Sequence, residues 1–146
     1  MDAGTGELLW AANNDRYRGE SLAATQKHVI YPNGRELNCL DYASGQRRWP
    51  EVPSPSTGQR KPGRLSQVTF ILHEDLVLEA GSNRIVARQA KTGEVVWEAP
   101  TGGRAMWGRD CFVARECVWH ADGDGIVGYD LKTGKPAKTV DPTSVQ

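Results

Sequence analysis

An all-β fold built from repeated four-stranded antiparallel units is what this sequence predicts, on three observations. A short motif recurs four times in matching register. The segments between its copies are short and rich in β-branched and aromatic residues. No stretch carries a convincing helical period.

The motif is D-x-x-[ST]-G-x-x-x-W. Asp2-Ala3-Gly4-Thr5-Gly6 is followed by Trp10, and Asp41-Tyr42-Ala43-Ser44-Gly45 by Trp49. Gln89-Ala90-Lys91-Thr92-Gly93 is followed by Trp97, and Asp130-Leu131-Lys132-Thr133-Gly134 by Lys138. The third copy departs at the aspartate and the fourth at the tryptophan. The glycines fall at 6, 45, 93 and 134, giving spacings of 39, 48 and 41 residues. A small residue stands two positions before the aspartate: Cys39, Ala87 and Gly128. An aspartate can accept hydrogen bonds from backbone amides two residues on and so start a turn, and serine or threonine does so more weakly. Glycine permits the positive φ of a tight hairpin. The tryptophan offers a large flat surface with one N–H donor. In a row of repeats it fills the gap between neighbours, so Trp10, Trp49 and Trp97 read as structural.

Three strands are expected before each later motif. They are 22–24, 27–31 and 36–41; then 67–72, 76–80 and 84–89; then 110–114, 117–120 and 126–130. Turns at Pro32-Asn33-Gly34, Gly81-Ser82-Asn83 and Asp122-Gly123-Asp124-Gly125 separate them. With the outgoing tryptophan strand each repeat is a four-stranded unit of about 40 residues, the size of a propeller blade. Residues 7–11 are expected as one orphan outer strand. The blades should cover about 21–51, 66–99 and 110–140 within a domain of 1–141, with 142–146 a disordered tail. Met1 aligns with Leu40 and Tyr129 inside a third strand, so the chain is expected to be a fragment of a longer protein. Three blades are fewer than the four to eight that close a propeller. The architecture expected is therefore a partial β-propeller.

These repeats resemble the tryptophan-docking motif of the PQQ-like (pyrroloquinoline-quinone-type) β-propeller family, across nearly the whole chain. That repeat builds quinone-dependent alcohol dehydrogenases, outer-membrane assembly lipoproteins, and sensor or scaffold domains. The resemblance implies the fold and suggests a periplasmic or extracytoplasmic setting, but no particular reaction. PQQ and calcium are implied only if the chain is part of a dehydrogenase. The adjacent cysteines of quinone-dependent alcohol dehydrogenases have no counterpart here, nor does any assignable Glu/Asn/Asp cluster.

Composition narrows the partners. Lys plus Arg is 18 and Asp plus Glu is 18 in 146 residues, so the formal charge is zero. Such a balance gives no electrostatic reason to expect nucleic acid. The longest apolar run, 8–12, is too short to span a bilayer. Cys39, Cys111 and Cys117 are odd in number and sparse, unlike a disulfide framework. The Cys111, Cys117 and His120 spacing matches no zinc arrangement. Asp122–Gly125 hints at a calcium loop, yet a glycine-rich hairpin explains it more simply. His28 and His73 stand isolated, and no nucleophile elbow, H-E-x-x-H or P-loop is present.

Candidate functional residues therefore come from the loops. Residues 50–64 form an insertion carrying four of the eight prolines and the cations Arg60, Lys61 and Arg64. One loop face should collect 11–20, 52–64 and 100–109 with the turns at 33–34, 82–83 and 122–125, opposite the D-x-x-[ST]-G turns. Arg16 lies on it, as do Arg104, Trp107 and Arg109. A loop tryptophan between arginines is the best candidate for a partner contact. No catalytic, cofactor-binding or metal-ligating residue is assigned. The docking set is Asp2, Asp41, Asp130, Gly6, Gly45, Gly93, Gly134, Trp10, Trp49 and Trp97. The function expected is a non-catalytic protein-interaction, sensing or scaffolding segment whose partner is a protein or further blades; the alternative is a piece of a PQQ-dependent dehydrogenase.

Overall fold

In the computed structural model the described residues are 2, 4–11, 22–33, 36–53, 68–81, 83–102, 111–122 and 125–140. They form twelve strands in chain order: β1 (Ala23–Ala24), β2 (His28–Pro32), β3 (Glu36–Asp41), β4 (Val52–Pro53), β5 (Thr69–His73), β6 (Leu76–Ala80), β7 (Arg84–Gln89), β8 (Val95–Pro100), β9 (Cys111–Ala114), β10 (Cys117–Asp122), β11 (Gly125–Asp130) and β12 (Pro136–Val140). The strands make three sheets, β1-β2-β3-β4, β5-β6-β7-β8 and β9-β10-β11-β12, each an antiparallel meander. The expected strand at 110–114 begins at Cys111, and that at 117–120 runs on to Asp122. The first sheet extends to Pro53, past the expected blade end at 51.

Alternation along each strand sends one set of side chains to each face, and both faces of an inner sheet are buried. Ile71, Leu78, Ala80, Ile85, Ala87, Trp97 and Ala99 of the second sheet meet Val113, Val118, Tyr129 and Leu131 of the third in one core. A second core joins Ile30, Leu37, Cys39, Trp49 and Val52 of the first sheet to Phe70, Val77 and Ala90 of the second. The strands β1, β5 and β9 approach one another in that order, so the first strand of each sheet lies on the inside of the row. The sheets thus stand side by side as blades, with β4, β8 and β12 at their outer edges.

The outer strands differ. In β8 and β12 the ladder continues past a bulge at Ala87/Arg88 and at Gly128/Tyr129. In the first blade only an isolated Leu40–Arg47 bridge and the two-residue β4 remain. Pro50 interrupts this edge because it has no N–H to give the ladder. Arg47 instead donates from Nε to the Trp49 carbonyl at 3.0 Å. Residues 7–11, expected as an orphan outer strand, pair with no strand among the described residues.

Candidate functional site

The repeated turn is a recurring polar feature of the described residues. In the first copy Asp2 Oδ1 accepts the amides of Gly4 (2.9 Å) and Thr5 (2.8 Å) and the Thr5 hydroxyl (3.0 Å). Asp41 does the same with Ala43 and Ser44, and Asp130 with Lys132 and Thr133. The glycine amide then closes onto the carbonyl of the aspartate position, at 2.8–2.9 Å in all four copies. Each glycine has positive φ: 73°, 70°, 79° and 68° at Gly6, Gly45, Gly93 and Gly134. At position 89 glutamine replaces the aspartate, and the backbone bonds persist without the carboxylate. There Thr92 turns its hydroxyl to Glu94 at 3.1 Å.

These bonds hold the aspartates in their charged form. The Thr5 amide and hydroxyl lower the Asp2 pKa, and those of Thr133 lower that of Asp130. For Asp41 the Arg48 guanidinium acts first and Ser44 second, and its carboxyl lies far below the usual range.

The turn receives the tryptophan of the preceding repeat. Trp10 Nε1 donates to the Tyr42 carbonyl at 2.7 Å, Trp49 Nε1 to Ala90 at 2.9 Å and Trp97 Nε1 to Leu131 at 2.7 Å. The accepting residue in each case follows the aspartate position. The N–H of that same residue donates to the hairpin between the first two strands of its own blade: Tyr42 to Lys27, Ala90 to Asp75 and Leu131 to Glu116. One residue thus ties its own blade together and receives the preceding repeat's indole.

The ring lies where a side chain on the glycine would be. A Cβ at Gly45 would fall 2.6 Å from Trp10 Cδ2, at Gly93 2.9 Å from Trp49 Cδ2, and at Gly134 2.6 Å from Trp97 Cδ2. Trp49 is 2% exposed and Trp97 7%. The small residue before each motif has a matching reason in the second blade, where Ala87 lies directly across the ladder from Trp97.

The third blade departs from this scheme. Lys138 takes the tryptophan position and pairs with Gly128. Trp119, from β10, covers Gly128 from the other side of the ladder, 3.1 Å from where a Cβ would project. Its Nε1 donates to the Ala114 carbonyl at 3.1 Å, and its ring stacks on Phe112 with centroids 6.4 Å apart. Sequence reasoning passed over Trp119. The signal was the pairing of a glycine at 128 with a lysine at 138, which leaves room on that sheet for a displaced indole.

A buried ion pair lies between the first two blades. Arg88 Nε is 4.0 Å from Glu79 Oε2, and the guanidinium donates to the Gly93 carbonyl at 3.1 Å and the Pro53 carbonyl at 3.5 Å. In the third blade Tyr129 occupies the register of Arg88 and reaches the Pro100 carbonyl at 3.4 Å. Both side chains reach back to the end of the preceding outer strand.

The cysteine geometry is unsuited to a metal or a bridge. Cys117 pairs with Ala114 and Cys111 with His120. Cys117 and His120 therefore point to opposite faces of β10. All three thiols are free, and among the described residues no three His, Cys, Asp or Glu side chains converge. No described helix is long and apolar enough to cross a membrane.

Arg16, Arg104, Trp107 and Arg109, expected on the loop face, lie outside the described residues, as do Arg60, Lys61 and Arg64 and the centre of the 122–125 turn. At that end of the blades the Thr101 amide, just after β8, donates to the Asn83 carbonyl in the β6–β7 turn at 2.9 Å, and the Glu36 N–H donates to Asn33 Oδ1 at 2.9 Å.

Comparison with known proteins places this geometry. BamB from Moraxella catarrhalis superposes with TM-score 0.60 at 21% identity, over 83% of this chain and 36% of that one. Quinohemoprotein alcohol dehydrogenase from Comamonas testosteroni gives 0.63 at 19%, over 92% and 22%. The Pan2 WD40 domain of Neurospora crassa gives 0.56 at 19%, over 84% and 35%. At these identities the likeness is one of fold, and the chain spans little more than a third, or less, of each of these structures. No curated protein matches by sequence. The family described as outer membrane protein assembly factor BamB matches residues 1–141, nearly all of the repeat array. With its propeller blades and tryptophan-docking turns, the chain belongs to that PQQ-like repeat family.

Proposed function

We propose that this chain is a propeller segment that serves as a protein-interaction or scaffolding module, without catalysis of its own. The observation that carries the reading is the match of residues 1–141 to a family described as an assembly factor. Assembly is a task of protein contacts. The residues fit it. Trp10, Trp49 and Trp97 are committed to docking on the turns at Gly45, Gly93 and Gly134, which points to the loops between blades for recognition. Arg104, Trp107 and Arg109 are the contact proposed there, since arginine and tryptophan dominate the energetics of protein interfaces.

A second reading, a piece of a quinone-dependent dehydrogenase, is favoured by the superposition on the Comamonas testosteroni enzyme. It would need carboxylates free to hold calcium and the quinone. Six of the described acids are engaged elsewhere, Asp2, Asp41 and Asp130 in turns, Glu36 with Arg47 at 3.0 Å, Glu98 with Arg84 at 2.8 Å and Glu79 with Arg88, and no three His, Cys, Asp or Glu side chains converge among the described residues. These residues do not fit the group.

Titrating the chain with PQQ and calcium, followed by quinone absorbance and tryptophan fluorescence, tests the choice. The module reading expects no saturation. Saturable binding at micromolar concentration, about −8 kcal/mol, would contradict it. On the same reading Trp107→Ala leaves the denaturant midpoint unchanged, whereas a loss as large as that of Trp49→Ala would make Trp107 a core residue.

A further inference from the structure

We propose that the turn joining β7 to β8, residues 89–93, binds a carboxylate anion on the amides of Lys91 and Thr92. The carboxylate is carried by a free organic acid or by an acidic side chain of a partner. The site stands on the geometry of one turn inside the second blade and does not depend on the interaction-module reading.

The other three turns hold a carboxylate oxygen in one way. Asp41 Oδ1 accepts the Ala43 amide at 3.1 Å, the Ser44 amide at 2.9 Å and the Ser44 hydroxyl at 2.9 Å. Asp130 Oδ1 accepts the Lys132 amide at 3.1 Å and the Thr133 amide and hydroxyl, each at 2.8 Å. Asp2 completes the set with Gly4 and Thr5. These donors favour the ionised oxygen, since at Asp2 and Asp130 they draw the carboxyl pKa below its ordinary value. The turn at 89–93 keeps the frame. The Gly93 amide closes onto the Gln89 carbonyl at 2.8 Å, the Gln89 amide donates to the Glu94 carbonyl at 2.9 Å, and Gly93 has φ of 79°. What changes is the acceptor. Gln89 stands at the aspartate position with its side chain exposed, and no described group accepts the amides of Lys91 and Thr92.

Successive turn amides directed to one point form an anion-binding concavity. Here the backbone bonds fix that shape before a ligand arrives, which lowers the cost of binding. Hydrogen bonds to a charged acceptor are the stronger kind, so a carboxylate is preferred to a neutral group. Lys91 is the single cation among residues 89–94, and it is exposed beside the amides. Glu94 lies on the other flank, where its Oε2 accepts the Thr92 hydroxyl at 3.1 Å. That carboxylate does not exclude an anion from the turn. Glu7 holds the same position in the first turn, whose amides carry the charged Asp2. There the Thr5 hydroxyl turns to Asp2 Oδ1 at 3.0 Å, and a bound carboxylate would draw the Thr92 hydroxyl from Glu94 in the same way.

The test uses the full chain, labelled with nitrogen-15 and titrated at neutral pH with sodium acetate or with the blocked peptide acetyl-Gly-Asp-Gly-amide, sodium chloride holding the ionic strength constant. The expected result is a saturable downfield shift of the Lys91 and Thr92 amide protons at millimolar ligand. The Ser44 and Thr133 amides, which already have their acceptor, should not follow. Gln89→Asp supplies the oxygen from within and should weaken binding of both probes by about tenfold or more. Gln89→Ala removes the side chain without supplying an acceptor and should bind as the parent does. Unchanged Gly45 and Gly134 signals would report that both variants are folded. A peptide that binds more tightly than acetate assigns the carboxylate to a partner's side chain, and one that binds no more tightly assigns it to a free acid. A shift no larger than chloride alone produces, equal shifts at Ser44 and Thr133, undiminished binding by Gln89→Asp, or loss of binding in Gln89→Ala would each overturn the proposal.

Discussion

Trp49 rests on Gly93. Its Nε1 donates to the Ala90 carbonyl at 2.9 Å, and its Cδ2 lies 2.9 Å from the point where a Gly93 Cβ would project. The glycine is therefore required twice, for a φ of 79° and for the space under the ring. Trp10 with Gly45 and Trp97 with Gly134 repeat the arrangement. The blades are linked by these contacts as well as by their apolar faces.

Acidification should loosen the turns. The folded pKa values of Asp2, Asp41 and Asp130 lie below the free value of 3.8. Their contribution is complete above that value and is lost as pH falls from there towards the folded pKa. Urea midpoints measured from pH 6 to pH 2 should fall below about pH 4. Asp41→Asn should flatten that dependence, and an unchanged slope would count against the turn carboxylates.

Much of this was legible in the sequence because the motif residues act locally. The aspartate, hydroxyl and glycine build their turn from neighbours within five positions, so spacing alone exposes them. The strands at Glu36–Asp41, Leu76–Ala80 and Arg84–Gln89 follow from β-branched runs between turn residues. What could not be read is the contact made at a distance. The carbonyls of Tyr42, Ala90 and Leu131 accept indoles from 32 to 41 positions away, and any residue type supplies a carbonyl. The Glu79–Arg88 pair leaves no local signal either, because nothing near these residues in sequence says that a neighbouring blade covers them. Arg104, Trp107 and Arg109 remain candidates from the sequence alone.

Removing one member of that pair should be costly. Glu79→Leu leaves the Arg88 guanidinium buried beside the Gly93 and Pro53 carbonyls, a loss of about 3–5 kcal/mol. Adding Arg88→Leu should recover part of it, since Leu40 fills the same register in the first blade. Denaturant unfolding of both variants checks this. A double variant less stable than Glu79→Leu would mean that the pair stabilises the fold outright.

The thiols should be slow. Burial pushes Cys39 up to about 11 and Cys111 up to about 12, and Cys117 is buried. At pH 8 iodoacetamide should modify the native chain slowly, and all three cysteines rapidly in denaturant. A thiol that reacts equally fast in both states would contradict the burial described.

The tryptophans should rank by their depth. Trp49→Ala removes a ring 2% exposed between two complete blades and should cost about 3–5 kcal/mol. Trp10 is half-buried and leads from residues that pair with no described strand, so Trp10→Ala should cost less. Equal losses in urea unfolding would show that the first turn region is as fully packed as the second.

The most direct test of blade linkage by indole-on-glycine docking is a double-mutant cycle on Trp49 and Gly93, read by denaturant unfolding. Gly93→Ala alone adds both backbone strain of about 1–2 kcal/mol and a clash with the ring of about 1–3 kcal/mol. In the Trp49→Ala background the strain should remain with only the milder crowding against Val52 Cγ2, 3.1 Å from the Gly93 Cβ position, so the cost should approach that of Gly6→Ala, where no described side chain is near. The cycle should then return a coupling of about 1–3 kcal/mol. Additivity within about 0.5 kcal/mol would show that the indole and the glycine act independently, and would contradict the account.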